Sequence, residues 1–156
     1  YHDALTSIGN RRSLERDFLD RLPEMNYLAV VDLDGFKQVN DTYGHEAGDY
    51  VLIEVAKRLH DHTNSSESVY RLGGDEFAIL LQADDELSLR RKCKSFLQYL
   101  RRPYVYKGQS LLVSASIGVT ARDQSDLETC LKQADLAMYR VKHRDKNDVA
   151  LYRADS

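Results

Sequence analysis

Apolar residues recur along the chain with the helical period in some stretches and the strand period in others, and the order of these stretches lays out the fold. A polar, turn-rich start over residues 3–12 leads into Leu14, Phe18 and Leu22 at helical spacing, with Asn10 as the N-cap and Pro23 placed to end the helix. Residues 27–34, Tyr-Leu-Ala-Val-Val-Asp-Leu-Asp, read as a strand with an apolar body that ends in carboxylates. Residues 35–44 suggest a short helical turn and loop. Residues 45–62 fit a longer helix with Val51, Leu52, Val55, Ala56 and Leu59 on one face. Strand formers at 68–72 and a continuous apolar run at 77–81 flank Gly73-Gly74, a pair that suits a tight hairpin turn.

The second half repeats the alternation. Leu89, Cys93, Phe96, Leu97 and Leu100 mark an amphipathic helix over residues 85–102, stopped by Pro103. Residues 104–106 and 109–120, turning at Lys107-Gly108, read as a hairpin that runs into one long strand, in which Ser114 and Ser116 alternate with Val113, Ala115 and Ile117. Ser125-Asp126-Leu127-Glu128 has the form of a capping box opening a last helix, with Leu127, Leu131, Ala134, Met138 and Val141 as its buried stripe. A short strand is expected at 149–152. The order βαββαβ, with additions, implies an α/β (α+β) fold of the ferredoxin-like or polymerase-palm type: a central, mostly antiparallel sheet flanked by helices.

This layout brings candidate chemistry together. Asp32 and Asp34 are two apart on one strand and share a face, which places two like charges in solvent or around a cation. If the strands ending at Asp32 and Leu72 run parallel in one sheet, their ends share an edge, and the hairpin tip carrying Asp75 and Glu76 returns toward Asp32. Ordinary turn chemistry would also account for Gly-Gly-Asp. Lys142, Arg144 and Lys146 lie at and after the end of the last helix, where cations suit the helix dipole but are also available to a polyphosphate. Carboxylates with lysines close by fit a nucleoside triphosphate and Mg²⁺, which binds through one or two carboxylates and substrate phosphates.

Composition narrows the reading. The 156 residues suit a single domain spanning 1–156, with no repeat or low-complexity tract and no apolar run long enough for a bilayer. A net charge of −3 gives no reason to expect nucleic-acid or membrane binding. Cys93 and Cys130 lack metal-ligand spacing and suggest a reducing compartment, so a cytoplasmic location is expected, with a membrane-anchored full-length protein as an allowed context. The five histidines are scattered, which argues against zinc.

The chain resembles the diguanylate cyclase family, named for the Gly-Gly-Asp-Glu-Phe signature found intact at residues 73–77. The likeness runs through Asp3-Ala4-Leu5-Thr6, Asn10-Arg11-Arg12, Asp32-Leu33-Asp34-Gly35-Phe36-Lys37, Asn40-Asp41, Tyr43-Gly44-His45 and Gly48-Asp49. It continues through Ser116-Ile117-Gly118-Val119, Ala134-Asp135, Met138-Tyr139, Lys142 and Lys146-Asn147. The resemblance implies condensation of two GTP to cyclic di-GMP and two pyrophosphates, with Mg²⁺ or Mn²⁺, two per site. It makes Asp32, Asp75 and the Leu33 carbonyl metal ligands, with Asp75 and Glu76 catalytic. Asn40 and Asp49 become guanine readers, and Phe36, Lys37, Lys142 and Lys146 phosphate contacts. A homodimer is implied because each site holds half of a symmetric reaction.

Four positions depart from the family pattern. Asn64 and Glu67 stand where product-inhibited members carry Arg and Asp, which implies no inhibition through that site. Ser7 and Asp145 replace glycines, and Asp145 sets a negative charge beside Lys146. The domain is expected to be the output part of a longer signalling protein, with an N-terminal sensory or C-terminal effector neighbour. Alternatives are a catalytically weak or inactive GTP-binding module that regulates an attached effector, and another nucleotidyl transferase on the same palm chemistry. A non-enzymatic scaffold would leave Asp32, Asp75 and Glu76 without a shared purpose.

Overall fold

In the computed structural model, residues 1–20, 25–123 and 125–153 are described. Leu22 and Pro23, expected to extend and end the first helix, lie outside them. Five strands form the central sheet in the order β2-β3-β1-β6-β7. These are β1 (Tyr27–Asp34), β2 (Ser68–Gly73), β3 (Glu76–Leu81), β6 (Ser114–Ala121) and β7 (Val149–Leu151). A separate two-stranded hairpin joins β4 (Tyr104–Tyr106) to β5 (Gln109–Leu111). The helices are α1 (Arg11–Asp20), α2 (Phe36–Tyr43), α3 (His45–His62), α4 (Glu86–Leu100) and α5 (Leu127–Lys142).

Strand β1 is the centre, antiparallel to β3 on one side and to β6 on the other, while β7 runs parallel to β6. Since β2 is antiparallel to β3, β1 and β2 run in the same direction with β3 between them. Their C-terminal ends therefore meet one edge of the sheet, as expected. The period-2 alternation of β1 then decides which layer each residue joins. Ala29, Val31 and Leu33 enter the core shared with α3 and α4, whereas Leu28 and Val30 enter the core shared with α1 and α5. Fully burying an aliphatic side chain of this kind contributes about 1.5–3 kcal/mol. By the same alternation Asp32 and Asp34 fall on the α5 side.

The close seating of α5 depends on Gly118 of β6. A Cβ built there would lie 2.0 Å from the Ala134 carbonyl oxygen and 2.4 Å from the Met138 nitrogen, both backbone atoms that cannot step aside. The helix thus packs flush on the strand, with Met138 buried, and its last turn arrives beside the end of β1.

Several elements differ from expectation in detail. The expected turn at 35–44 is the eight-residue α2. The expected long strand at 109–120 is broken at Leu112-Val113: β5 stays with β4, and β6 leaves to pair with β1 from Asp34↔Ser114 to Tyr27↔Ala121. A single straight strand cannot serve both sheets. The N-cap of α5 is Asp126 rather than Ser125, because the Asp126 carboxylate accepts from Thr129 N at 2.8 Å while Ser125 N is taken up by the Arg122 carbonyl. Asn10 does cap α1, accepting from Ser13 N at 3.0 Å. Cys93 and Cys130 are both free and buried.

Candidate active site

The site forms where β1 ends. The hairpin tip turns with Gly73 at φ 149° and Gly74 at φ 53°, values that side chains disfavour. Leu33 N then donates to the Asp75 carbonyl at 3.3 Å, which ties the tip to β1. Asp32 is opposite Glu76 in the β1–β3 register. Three carboxylates from two distant segments thus face a small volume.

Their electrostatics reflect the crowding. The Asp32 carboxyl is pushed up to about 6, first by burial, then by the charge of Asp75 and a hydrogen bond shared with it, with Lys142 opposing. Glu76 is pushed up to about 7 by burial and then by Asp135, Asp32 and Asp75, with Arg11 opposing. Asp32 therefore keeps its proton to a higher pH than a free carboxyl does, and a divalent cation bound there would displace it.

Asp34 is different. It is buried, and its oxygens accept from Ser114 Oγ (2.7 Å), Ser116 Oγ (2.8 Å), Lys142 Nζ (2.7 Å) and Asn147 N (3.0 Å). Burial would raise its pKa, but these hydrogen bonds, that of Lys142 foremost, hold it below the ordinary carboxylate range. Asp34 shares a face with Asp32, as the spacing requires, yet its acceptors are spent on fixing the β1 end to β6 and to the loop after α5. It braces the site and has little left to offer a cation.

Lys142 Nζ also donates to the Leu33 carbonyl at 2.7 Å and lies 3.9 Å from Asp32. An ammonium already rests where the carbonyl and the carboxylate converge, which is evidence that the spot favours positive charge. Two carboxylates and a carbonyl oxygen are donors of the kind a hard divalent cation takes. Among the described residues, no three His, Cys, Asp or Glu side chains cluster to hold a metal unaided. Any cation here would rely on backbone, water and substrate oxygens as well.

The other sequence-derived residues lie around this centre. Helix α2 starts just past β1 with Gly35 as N-cap and no side-chain cap, so the amides of Phe36 and Lys37 open its N-terminus. Lys37 is exposed and pairs with Asp41 at 2.9 Å. Asn40 is part-buried and lies over Gly48, where an added Cβ would be 1.9 Å from its Oδ1 and 3.3 Å from Phe36. Asp49, the next residue on α3, is exposed. Asn40, Phe36 and the start of α3 are thus brought to one corner. Lys146 is exposed, in a left-handed conformation (φ 53°) with its N–H on the Val141 carbonyl.

Ser114, Ser116, Asn147, Asp135 and Arg11 complete the surroundings and were not anticipated as site residues. Ser114 was signalled only as part of the polar face of an alternating strand, and Ser116 by that alternation and by the family likeness at Ser116-Ile117-Gly118-Val119, neither with a role attached. Their register against Asp34 and Asp32 gives them their role.

Asn64 and Glu67 sit elsewhere. Glu67 is buried and accepts from Asn64 N (3.1 Å), Gln82 N (3.3 Å) and, closely, the Lys92 ammonium. Asn64 Oδ1 accepts from Ser66 N and Glu67 N at 3.0 and 3.1 Å. Both side chains close their own loop.

Comparison with known proteins agrees with this geometry. The family described as diguanylate cyclase, GGDEF domain matches residues 1–148. The bifunctional diguanylate cyclase/cyclic di-GMP phosphodiesterase MucR of Pseudomonas aeruginosa is 34% identical over 97% of this chain, which covers 23% of MucR. Diguanylate cyclase DosC of Escherichia coli is 33% identical over 97% of the chain, which covers 35% of DosC. This chain therefore spans only about a quarter to a third of these relatives. Among solved structures, the GGDEF domain of TpbB (YfiN) from P. aeruginosa superposes with a TM-score of 0.89 at 31% identity, covering 99% of this chain and 96% of that one. The GGDEF domain of DgcB from Caulobacter crescentus, solved in complex with c-di-GMP, gives 0.86 at 26% identity, covering 99% and 96%. The chain belongs to the GGDEF domain family of diguanylate cyclases.

Proposed function

We propose that this domain condenses two GTP into cyclic di-GMP with release of two pyrophosphates. Two copies meet across a two-fold axis, each presenting its bound GTP to the other. In each half-reaction the 3′-oxygen of one nucleotide bonds to the α-phosphorus of the other, the bond from that phosphorus to the bridging oxygen breaks, and pyrophosphate leaves. The observation that carries this reading is the meeting of Asp32, at the end of β1, with the hairpin tip that presents Asp75, tied there by the Leu33 N–H on the Asp75 carbonyl.

Asp32, Asp75 and the Leu33 carbonyl would hold Mg²⁺ or Mn²⁺, two ions per site. Bound there, such ions lower the pKa of the attacking hydroxyl and neutralise charge on the phosphoryl groups. The chain's own groups do the rest. Asp75 lies nearest the attacking hydroxyl, and Glu76, raised to about 7, can accept or return a proton close to neutrality. The Phe36 and Lys37 amides cradle phosphate at the open α2 N-terminus. Lys37, Lys142 and Lys146 supply positive charge to the triphosphate. Lys142 is the most constrained of these, since it must share itself with Asp34. Asn40 and Asp49 read guanine: the carboxylate accepts from N1–H and the 2-amino group, and the amide donates to purine acceptors. Adenine would leave these groups unpaired and be rejected.

With Asn64 and Glu67 occupied in their own loop, product inhibition through that position is absent. The domain works in the cytoplasm as the output of a longer protein whose neighbouring sensory or effector domains govern the encounter of two copies.

The test is turnover of GTP with Mg²⁺ or Mn²⁺ over a range of protein concentrations, with cyclic di-GMP separated from nucleotide by chromatography. A specific rate that climbs with protein concentration supports a cyclase limited by pairing, and Asp75→Ala should abolish it while leaving the fold intact. One feature favours a second reading, a GTP-binding regulatory module: Asp145 is exposed beside Lys146 and opposes phosphate there. GTP binding without product at any concentration would select that reading.

A further inference from the structure

Lys142, the last residue of α5, brings its ammonium to the end of β1, among the groups that would hold a divalent ion. Its Nζ donates to the Leu33 carbonyl and to Asp34 Oδ1, both at 2.7 Å, and lies 3.9 Å from Asp32 Oδ1. These contacts differ in kind. Asp34 is also held by Ser114 Oγ, Ser116 Oγ and Asn147 N, so it keeps its place whatever the ammonium does. The Leu33 carbonyl belongs to the other side. In a strand the N–H and carbonyl of one residue point the same way, and Leu33 N donates to the Asp75 carbonyl, so the Leu33 carbonyl faces the tip that carries Asp75.

An ammonium and a divalent ion therefore ask for the same oxygens. Mg²⁺ binds oxygen at about 2.1 Å, so an ion on the Leu33 carbonyl would lie within about 4.8 Å of Nζ, which is 2.7 Å from that oxygen. Two cations that close repel. Water does little to screen them here, because the Lys142 side chain is only 20% exposed and that of Asp32 23%. Lysine is the partner that can yield, since its charge rides on a flexible four-carbon stem with three donors. Asp34 remains as its tether.

We infer that Lys142 is a surrogate cation: in the free domain it fills the divalent ion's place at the Leu33 carbonyl and Asp32, and the arriving ion turns its ammonium out toward the triphosphate. The inference rests on the proposed reading of Asp32, Asp75 and Leu33 as the ion's ligands. It adds to that reading an internal competitor, which weakens ion binding until nucleotide is present, and a coupling, because the ion releases the lysine that the phosphates take up.

The first measurement uses the unsubstituted chain, ¹³C-labelled at lysine and ¹⁵N-labelled throughout, at neutral pH without nucleotide. Held in one position, the Lys142 ε-methylene should give two separate proton shifts. Titration with Mg²⁺ should merge them with the same midpoint as the shifts of the Asp32 and Asp75 amides. Saturation at Asp32 and Asp75 with the Lys142 signals unmoved would overturn the inference while leaving the ion site intact. The second measurement is Mn²⁺ binding without nucleotide, read from the electron paramagnetic resonance of the free ion. Lys142→Met should bind Mn²⁺ roughly tenfold more tightly than the unsubstituted chain, whereas Lys146→Met, which removes an exposed charge nearby, should gain far less. Equal gains in the two variants, or none in Lys142→Met, would also overturn it. Should Lys142→Met fail to fold, the Mg²⁺ titration of the unsubstituted chain decides alone. Absence of any ion-dependent change at Asp32, Asp75 and Lys142, with no Mn²⁺ uptake by any of the chains, would reject the ion site itself and this inference with it.

Discussion

The guanidinium of Arg71 spans two distant parts of the chain: it lies 3.2 Å from both carboxylate oxygens of Asp3, and it donates to the Gly74 carbonyl through Nε (3.1 Å) and Nη2 (2.8 Å). Asp3 also accepts from the N–H and hydroxyl of Thr6, while Arg71 N bonds the Gly9 carbonyl. The N-terminal loop is therefore hydrogen-bonded to the tip that presents Asp75. Arg71→Ala should lower unfolding free energy by about 1–3 kcal/mol and reduce turnover beyond what the lost stability explains. Denaturant unfolding and steady-state rates on the same preparation check this. Thr6→Val, which leaves the Arg71 contacts alone, should show the stability loss with a smaller effect on rate.

The proton held by Asp32 gives a pH dependence of definite sign. Its folded pKa, about 6, lies above the ordinary carboxylate value of 3.8, so the folded chain binds more protons than the unfolded chain between these values. Without divalent cations, stability should fall as pH rises through that window, and Glu76, raised to about 7, extends the fall toward neutrality. Added Mg²⁺ or Mn²⁺ should restore stability above pH 6 and have little effect at pH 4.5. Metal affinity should weaken roughly tenfold for each pH unit below about 6. Thermal unfolding with and without Mn²⁺ at a series of pH values checks both statements.

Gly118 and Gly48 separate the scaffold from the site. Gly118→Ala drives a methyl group into the α5 backbone, and about 3 kcal/mol of destabilisation is expected. Gly48→Ala meets instead the end of the Asn40 side chain, which can rotate away. Its fold should survive while GTP affinity falls roughly tenfold, about 1.4 kcal/mol. Chemical unfolding and GTP titration of the two variants should show opposite patterns.

The element order was legible because each element carries its own period, and the end of β1 could be placed beside the hairpin tip by the directions of the strands. Asp34 was not legible. Its spacing from Asp32 made the two look equivalent, and only the pairing of β6 with β1 and the path after α5 bring Ser114, Ser116, Lys142 and Asn147 onto it. The break at Leu112-Val113 was hidden for a related reason: local alternation does not say which partner a strand will choose. Asp126 rather than Ser125 is the cap because its carboxylate takes the Thr129 N–H, a one-residue choice of helix start that the periodicity does not fix. Asn40 and Asp49 came from family resemblance alone, since nothing in their local pattern distinguishes a base reader from a helix-end residue.

Glu67 lends itself to a test that separates structure from regulation. Its carboxylate accepts from Lys92, Asn64 N and Gln82 N, and its side chain is 1% exposed, so removing it leaves three donors in a part-buried loop without their acceptor. Glu67→Ala should cost about 2–4 kcal/mol of stability. If this position serves only the loop, cyclic di-GMP should neither inhibit the unsubstituted domain nor bind it in a way that Glu67→Ala changes, provided temperature is kept well below the variant's unfolding. Lys92→Met is the companion measurement. It strands the Glu67 carboxylate and should destabilise by a comparable amount. A cyclic di-GMP isotherm weakened by Glu67→Ala and unaffected by Lys92→Met would instead make Glu67 a ligand contact, and the absence of product inhibition would have to be abandoned.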